Sequence, residues 1–360
     1  MRNFIERNQI SKIKDWNRSI LILLFITILN SNYSLLKAQK IGPRPIIFEA
    51  DFASDVEDLG TLAYLHSLEH EGKIHILAII CSTNNDWSPL CISAINEYFG
   101  RPTIPIGMQK KESITGDSKF ISGYTYNKYL ATHFNHSLKS KNETQDVIPL
   151  LKSLLEKPEN EDIVYVSSGN LINLSELLNV RTFWTKSGVS KELIKQKISQ
   201  LIITNGAYPK NDQDYHFITN LEATAKVVVN WPNPILYVGQ ELNSVYPTGP
   251  GLISIARQNN PIRTAYLLFD KYYYPTFEPG YKGNYIHKHP SRAQIGLYYL
   301  LNPKDPTFTL SPSGGNYVNS DGANFWIPDN GRKDHYLISK IKSPTLSHQI
   351  EIGMAYQPKK

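Results

Sequence analysis

Within the stretch "PIIFEADFASDVEDLGTLAYL", Glu49, Asp51, Asp55, Glu57 and Asp58 fall where an apolar run ends and a helical pattern begins. Side chains alternate along a strand, so Glu49 and Asp51 are expected on the same side of it. Carboxylates crowded at one strand end repel one another unless a proton, a basic residue or a metal ion compensates. Oxygen ligands alone suit a hard divalent ion, and calcium tolerates irregular geometry better than magnesium does. A plainer role is open to part of the set: Ser54 or Asp55 caps the helix, and Asp55, Glu57 and Asp58 favour its positive end. That role does not reach Glu49 and Asp51, which precede the helix.

The elements that must position these acids follow from periodicity. Short β-branched runs alternate with helical patterns, which predicts an α/β fold with a mainly parallel sheet and helices on both faces. Expected strands are 45–50, 74–82, 104–107, 163–167, 201–205 and 235–238, and expected helices are 56–68, 88–99, 147–156, 171–178, 221–230 and 262–273. Leu59, Leu62, Ala63 and Leu65 give the first helix a one-sided apolar stripe. Such sheets hold their ligands beyond the carboxyl ends of the strands. Residues 107–142, rich in Lys, Ser, Tyr and His, read as a long surface excursion suited to a lid. After Pro303 the chain is broken by Pro306, Pro312, Gly314, Gly315, Gly322 and Pro328, so 304–360 is expected to form a small C-terminal β appendage on the domain 39–303.

Arg2, Arg7, Lys12, Lys14 and Arg18 precede an apolar run at 19–29 and a small residue, Ala38. That order is the one of a secretory signal peptide over 1–38, and it predicts a periplasmic or secreted mature chain. The apolar run is shorter than the roughly 20 residues that cross a bilayer as a helix, so no stable membrane insertion is expected once the signal is removed. The formal charge of +6 comes mostly from this segment, since 38 Lys+Arg and 32 Asp+Glu fall to 32 and 30 without it. The remaining basic residues are scattered, which argues against a nucleic-acid partner. Cys81 and Cys91 are too few for a disulfide framework. Two separate buried thiols and one bridge are both open.

The acidic stretch resembles the N-terminal signature of the inosine-uridine preferring nucleoside hydrolases, D-x-D-x-G-x-D-D, in a lengthened form. Glu49 stands at the first acid, Asp51 at the second and Glu57-Asp58 at the final pair, while Ala53 replaces the glycine. "LAIICSTNN" is similar to the second strand that ends in a ribose-contacting Asn, here Asn85, and "IVYVSSGNLINL" to the segment that lends a carbonyl, here of Ser168. "LIITNGAY" and "DYHFITNLEA" resemble the fifth-strand region and the sugar-holding stretch, giving Asp214 and His216. "GANFWIPDNGRKDHYLI" is similar to the C-terminal hairpin of exported relatives.

This resemblance implies calcium-dependent hydrolysis of the N-glycosidic bond of a ribonucleoside or related riboside. Asp51 would be general base and metal ligand, with Asp58 and the Ser168 carbonyl as further ligands. Glu57, Asn85, Asp214 and His216 would grip the ribose hydroxyls, and Glu49 and Asp55 would support the site from behind. The chain departs from the pattern at Ala293 in "HKHPSRAQIGLYYLLNP", where the family carries its last metal-ligating Asp. The alternative is therefore a catalytically inactive nucleoside- or sugar-binding protein on the same fold. His287, His289 and Arg292 are candidates for assisting the leaving base. The sequence leaves the base preference and the oligomeric state open, a homo-oligomer included.

Overall fold

The computed structural model describes residues 42–52, 54–110, 126–179, 189–209 and 213–358. The expected signal at 1–38 and the glycine replacement at Ala53 lie outside the described residues. Among the described residues eleven strands are formed: β1 Arg44–Ala50, β2 Ile74–Cys81, β3 Ile106–Met108, β4 Gln145–Asp146, β5 Ile163–Ser168, β6 Ile198–Ile203, β7 Ile235–Tyr237, β8 Phe308–Leu310, β9 Gly314–Val318, β10 Asn324–Pro328 and β11 His335–Ser339. Nine of them make one sheet in the order β4-β3-β2-β1-β5-β6-β7-β11-β8. Every pair in it is parallel except β11 with β8 at one edge.

Both faces of the sheet are covered, which is why its strands read as near-continuous apolar runs. Ile46, Phe48 and Ala50 of β1 point into one core with the helices Glu57–His70, Ser88–Tyr98, Pro261–Tyr273, Arg292–Leu301 and Pro344–Met354. Ile47 points into the other, with Val147–Leu155, Ile172–Leu177, Lys191–Lys197 and Leu221–Asn230. The helix Glu57–His70 is buried on nearly every side from Glu57 to Leu68, more than a one-sided stripe requires. Helices from the C-terminal half, Arg292–Leu301 and Pro344–Met354 among them, pack over the face that the sheet leaves free.

Three parts of the fold differ from the sequence expectation. The region 107–142 is not wholly a surface excursion: it contains the helix Tyr126–His133, whose Tyr126, Asn127, Leu130 and Ala131 are buried. The β character expected after 304 is divided. β9 and β10 form a separate antiparallel hairpin, whereas β11 joins the main sheet beside β7. The chain then ends in the helix Pro344–Met354, whose Glu351 accepts the backbone N–H groups of Gly249 and Gly251 at 2.8 and 2.9 Å. Cys81 and Cys91 are both free and buried. Among the described residues no helix is long and apolar enough to cross a membrane.

Candidate active site

The strand order turns back at β1: β2, β3 and β4 lie on one side and β5, β6 and β7 on the other. A crevice forms at the carboxyl ends of strands at such a switch point. The ends are level here, because Ala50 is in register with both Cys81 and Ser168, and Ser167 with Ile203. Asp51 is the first residue beyond β1, and its carbonyl accepts the hydroxyl of Thr83 at 3.0 Å. Gly169 follows Ser168 on the neighbouring strand, and a Cβ there would run into Ser82 and crowd the Asp51 backbone.

After Asp51 the backbone turns sharply, with Phe52 in the left-handed region at φ +50. That conformation costs a non-glycine residue roughly 1–2 kcal/mol. It is held by burial of the Phe52 ring against Phe48 and by the Phe52 N–H, which donates to Asp58 Oδ2 at 3.0 Å. The turn brings Asp58 back to Asp51, and the two buried carboxyls are hydrogen-bonded to each other. Ser54 Oγ donates to Asp51 Oδ1 at 2.7 Å, and His216 Nδ1 lies 3.9 Å from Asp51 Oδ2. Burial, and then the charges of Asp55 and Asp51, push the Asp58 pKa well above the ordinary carboxyl value. Asp55 is pushed up to about 7 by loss of solvation, then by Glu57 and Asp51.

Glu49 does not join this pair. The strand ends at Ala50, so the alternation that would set Asp51 beside Glu49 does not extend to it. Fully buried, Glu49 accepts the Tyr165 hydroxyl and the Asn173 amide, each at 2.6 Å. Burial raises its pKa to about 7 against the pull of these two hydrogen bonds. The helix cap foreseen for Ser54 or Asp55 is not formed: the N-cap residue is Val56, without a side-chain cap bond, and Asp55 Oδ1 accepts the Glu57 N–H at 2.9 Å in the turn before the helix.

Of the remaining expected residues, Asn85, Asp214 and Ser168 have side-chain oxygens already engaged in local hydrogen bonds. Asn85 Oδ1 accepts the N–H groups of Trp87 and Ser88 at 2.8 and 3.1 Å, which starts the helix Ser88–Tyr98. Asp214 caps the helix Tyr215–Thr219 through His216 and Phe217 and also accepts the Gly206 N–H at 2.9 Å. This ties His216 to the loop after β6, and Asn324 of the hairpin fixes the next residue by accepting the Ala207 N–H at 2.8 Å. Ser168 Oγ accepts the Thr204 hydroxyl at 3.1 Å, and its backbone sits beside Ala50.

The position of Ala293 is informative. Glu57 Oε1 accepts the Ala293 N–H at 3.1 Å, and Glu57 Oε2 lies 3.4 Å from an Arg292 nitrogen. Arg292 is buried; burial opposes its charge, yet Glu57, Asp214 and Asp55 hold its pKa above the ordinary guanidinium value. Sequence reasoning placed Arg292 at the site only as an aid to a leaving group. It passed over Tyr126, which donates to the Asp55 carbonyl at 2.5 Å, and Glu241, which accepts the Tyr208 N–H at 2.9 Å and which burial raises to about 7. No local pattern marks these two, because only the fold brings them near. His287 and His289 are engaged elsewhere: both approach Asp270, at 3.1 and 2.7 Å.

The donor chemistry suits a hard cation only in part. Asp51 and Asp58 supply adjoining carboxylates whose mutual repulsion a divalent ion would relieve. Among the described residues no group of three His, Cys, Asp or Glu side chains is arranged to hold a metal ion. A cation here would complete its shell with backbone oxygens such as the Ser168 carbonyl.

The parallel sheet covered on both faces gives the chain an α/β fold like that of solved nucleoside hydrolases. Among solved structures, the chain is similar to an inosine-guanosine nucleoside hydrolase at TM-score 0.61 and 15% identity, over 88% of this chain and 100% of that one. It is also similar to the type III effector XopQ complexed with adenosine diphosphate ribose, at TM-score 0.60 and 12% identity over 90% and 98% of the two chains. An inosine-uridine preferring nucleoside hydrolase from Bacillus anthracis matches at TM-score 0.56 and 13% identity, over 86% and 99%. No family model and no curated protein sequence matches the chain. The likeness is one of fold.

Proposed function

We propose that the chain binds a ribonucleoside or related N-riboside at the mouth between β1 and β5 and hydrolyses its N-glycosidic bond. The observation that carries this reading is the buried Asp51–Asp58 pair, brought together by the Phe52 turn. Breaking an N-glycosidic bond develops positive charge on the sugar, which negative groups beside C1 stabilise. Asp51 accepts the proton of the attacking water, with Ser54 and His216 holding its carboxylate in place. Asp51, Asp58 and the Ser168 carbonyl would hold calcium, which when bound supplies Lewis acidity near neutral pH. The ribose would be bounded by Asn85, His216 and the Glu57 carboxylate. Export through removal of 1–38 belongs to the same proposal.

A second reading, a binding protein without turnover, is favoured by Ala293, which offers no carboxylate, and by Glu57, whose two oxygens are both engaged. One experiment separates them. Purified protein is mixed with inosine or uridine, with calcium or with a chelator, and both free base and riboside binding are measured. Base release that chelation abolishes supports hydrolysis. Binding without release overturns it in favour of the second reading, and neither binding nor release removes both.

A further inference from the structure

The acidic loop carries a cation of its own. Arg292 opens the helix Arg292–Leu301, and its guanidinium is buried within 3.4 Å of Glu57 Oε2. The other oxygen of that carboxylate accepts the Ala293 N–H at 3.1 Å, so Glu57 is clamped onto the first turn of the helix and carries Arg292 with it. The Arg292 Nε has no hydrogen-bond partner among the described residues. Charge therefore contributes more to holding the group than a complete set of hydrogen bonds does. A guanidinium keeps its charge in any protein environment, unlike a proton shared by two acids.

A divalent ion entering beside Asp51 and Asp58 meets a loop in which Arg292 already offsets the charges of Glu57 and Asp55, and it meets the repulsion of Arg292 as well. Both effects act at short range and out of bulk water, where charges are poorly screened. We propose that Arg292 is a tethered counter-ion that competes with a divalent cation for the Asp51–Asp58 loop and keeps the metal affinity of the site low. This rests on the reading of that loop as the riboside site.

The test is calorimetric titration of calcium chloride into the wild-type protein, Arg292→Met and Arg292→Lys, each first shown to be folded by a cooperative melt. Arg292→Met is expected to bind calcium at least about tenfold more tightly than wild type, while Arg292→Lys, which keeps the charge, stays within about threefold of it. Equal affinity in wild type and Arg292→Met overturns the proposal, as does an Arg292→Lys protein that binds as tightly as Arg292→Met. Should Arg292→Met fail to fold, Arg292→Gln carries the same comparison. Base release from inosine or uridine is measured on the wild-type preparation separately. Its absence removes the hydrolase reading and leaves the calcium comparison standing.

Discussion

Glu57 Oε1 accepts the backbone N–H of Ala293 at 3.1 Å across 236 residues of chain. The acid that opens the first helix thus reaches the first turn of a helix near the end of the domain, where a carboxylate also meets the positive end of the peptide dipoles. With Arg292 against its other oxygen, Glu57 joins the acidic loop to the C-terminal half of the molecule.

Replacing Glu57 by Ala leaves the buried Arg292 without its nearest counter-charge. Breaking one side of a buried ion pair costs about 3–5 kcal/mol. Denaturant unfolding should show a loss of that order, and a change below about 1 kcal/mol would mean that Arg292 finds another carboxylate at once.

Asp51→Ala should abolish base release while leaving the fold intact. General-base catalysis contributes about 10²–10⁴ in rate, and one of two mutually repelling acids disappears from the buried pair. A variant that keeps the wild-type rate of base release from inosine or uridine would refute the assigned role.

Glu49 makes stability fall with rising pH. Its pKa is about 7 in the folded chain against an ordinary 4.5, so the folded state binds more protons than the unfolded state between these values. The contribution is complete below about pH 4.5 and is lost as pH rises through about 7, by about 3 kcal/mol in all. Glu49→Gln should flatten this part of the stability profile, measured by denaturant unfolding from about pH 4.5 to about pH 7.5. An unchanged slope would mean that another group carries it.

Asp214→Ala separates a structural from a sugar-binding role. Its carboxylate accepts the N–H groups of Gly206, His216 and Phe217. Loss of a helix cap costs about 0.5–2 kcal/mol, and the buried Gly206 N–H adds to that. A stability loss in this range with riboside affinity little changed would assign Asp214 to holding the loop, and a large affinity loss at full stability would assign it to the sugar.

The parallel architecture was legible in the sequence because both faces of the sheet are covered. Strands such as Ile163–Ser168 open on apolar runs and are buried throughout, and helices such as Leu221–Asn230 are bounded by their own caps. The acid crowd at 49–58 was legible for the same local reason, since five acids within ten residues demand compensation wherever they lie. What compensates them was not. Strand alternation would place Glu49 beside Asp51, but β1 ends at Ala50, the left-handed turn at Phe52 brings Asp58 back to Asp51, and Glu49 is left to Tyr165 and Asn173. Arg292, Tyr126 and Glu241 reach the site from elements distant in the chain, and a side chain's neighbours across such distances are set by packing rather than by spacing. The sequence by itself determined the parallel α/β class, the alternation of strands and helices and the crowd of acids at the end of β1; only the tertiary structure decided that β11 joins the sheet, which acids meet and that a guanidinium stands among them, because contacts between distant segments are set by packing.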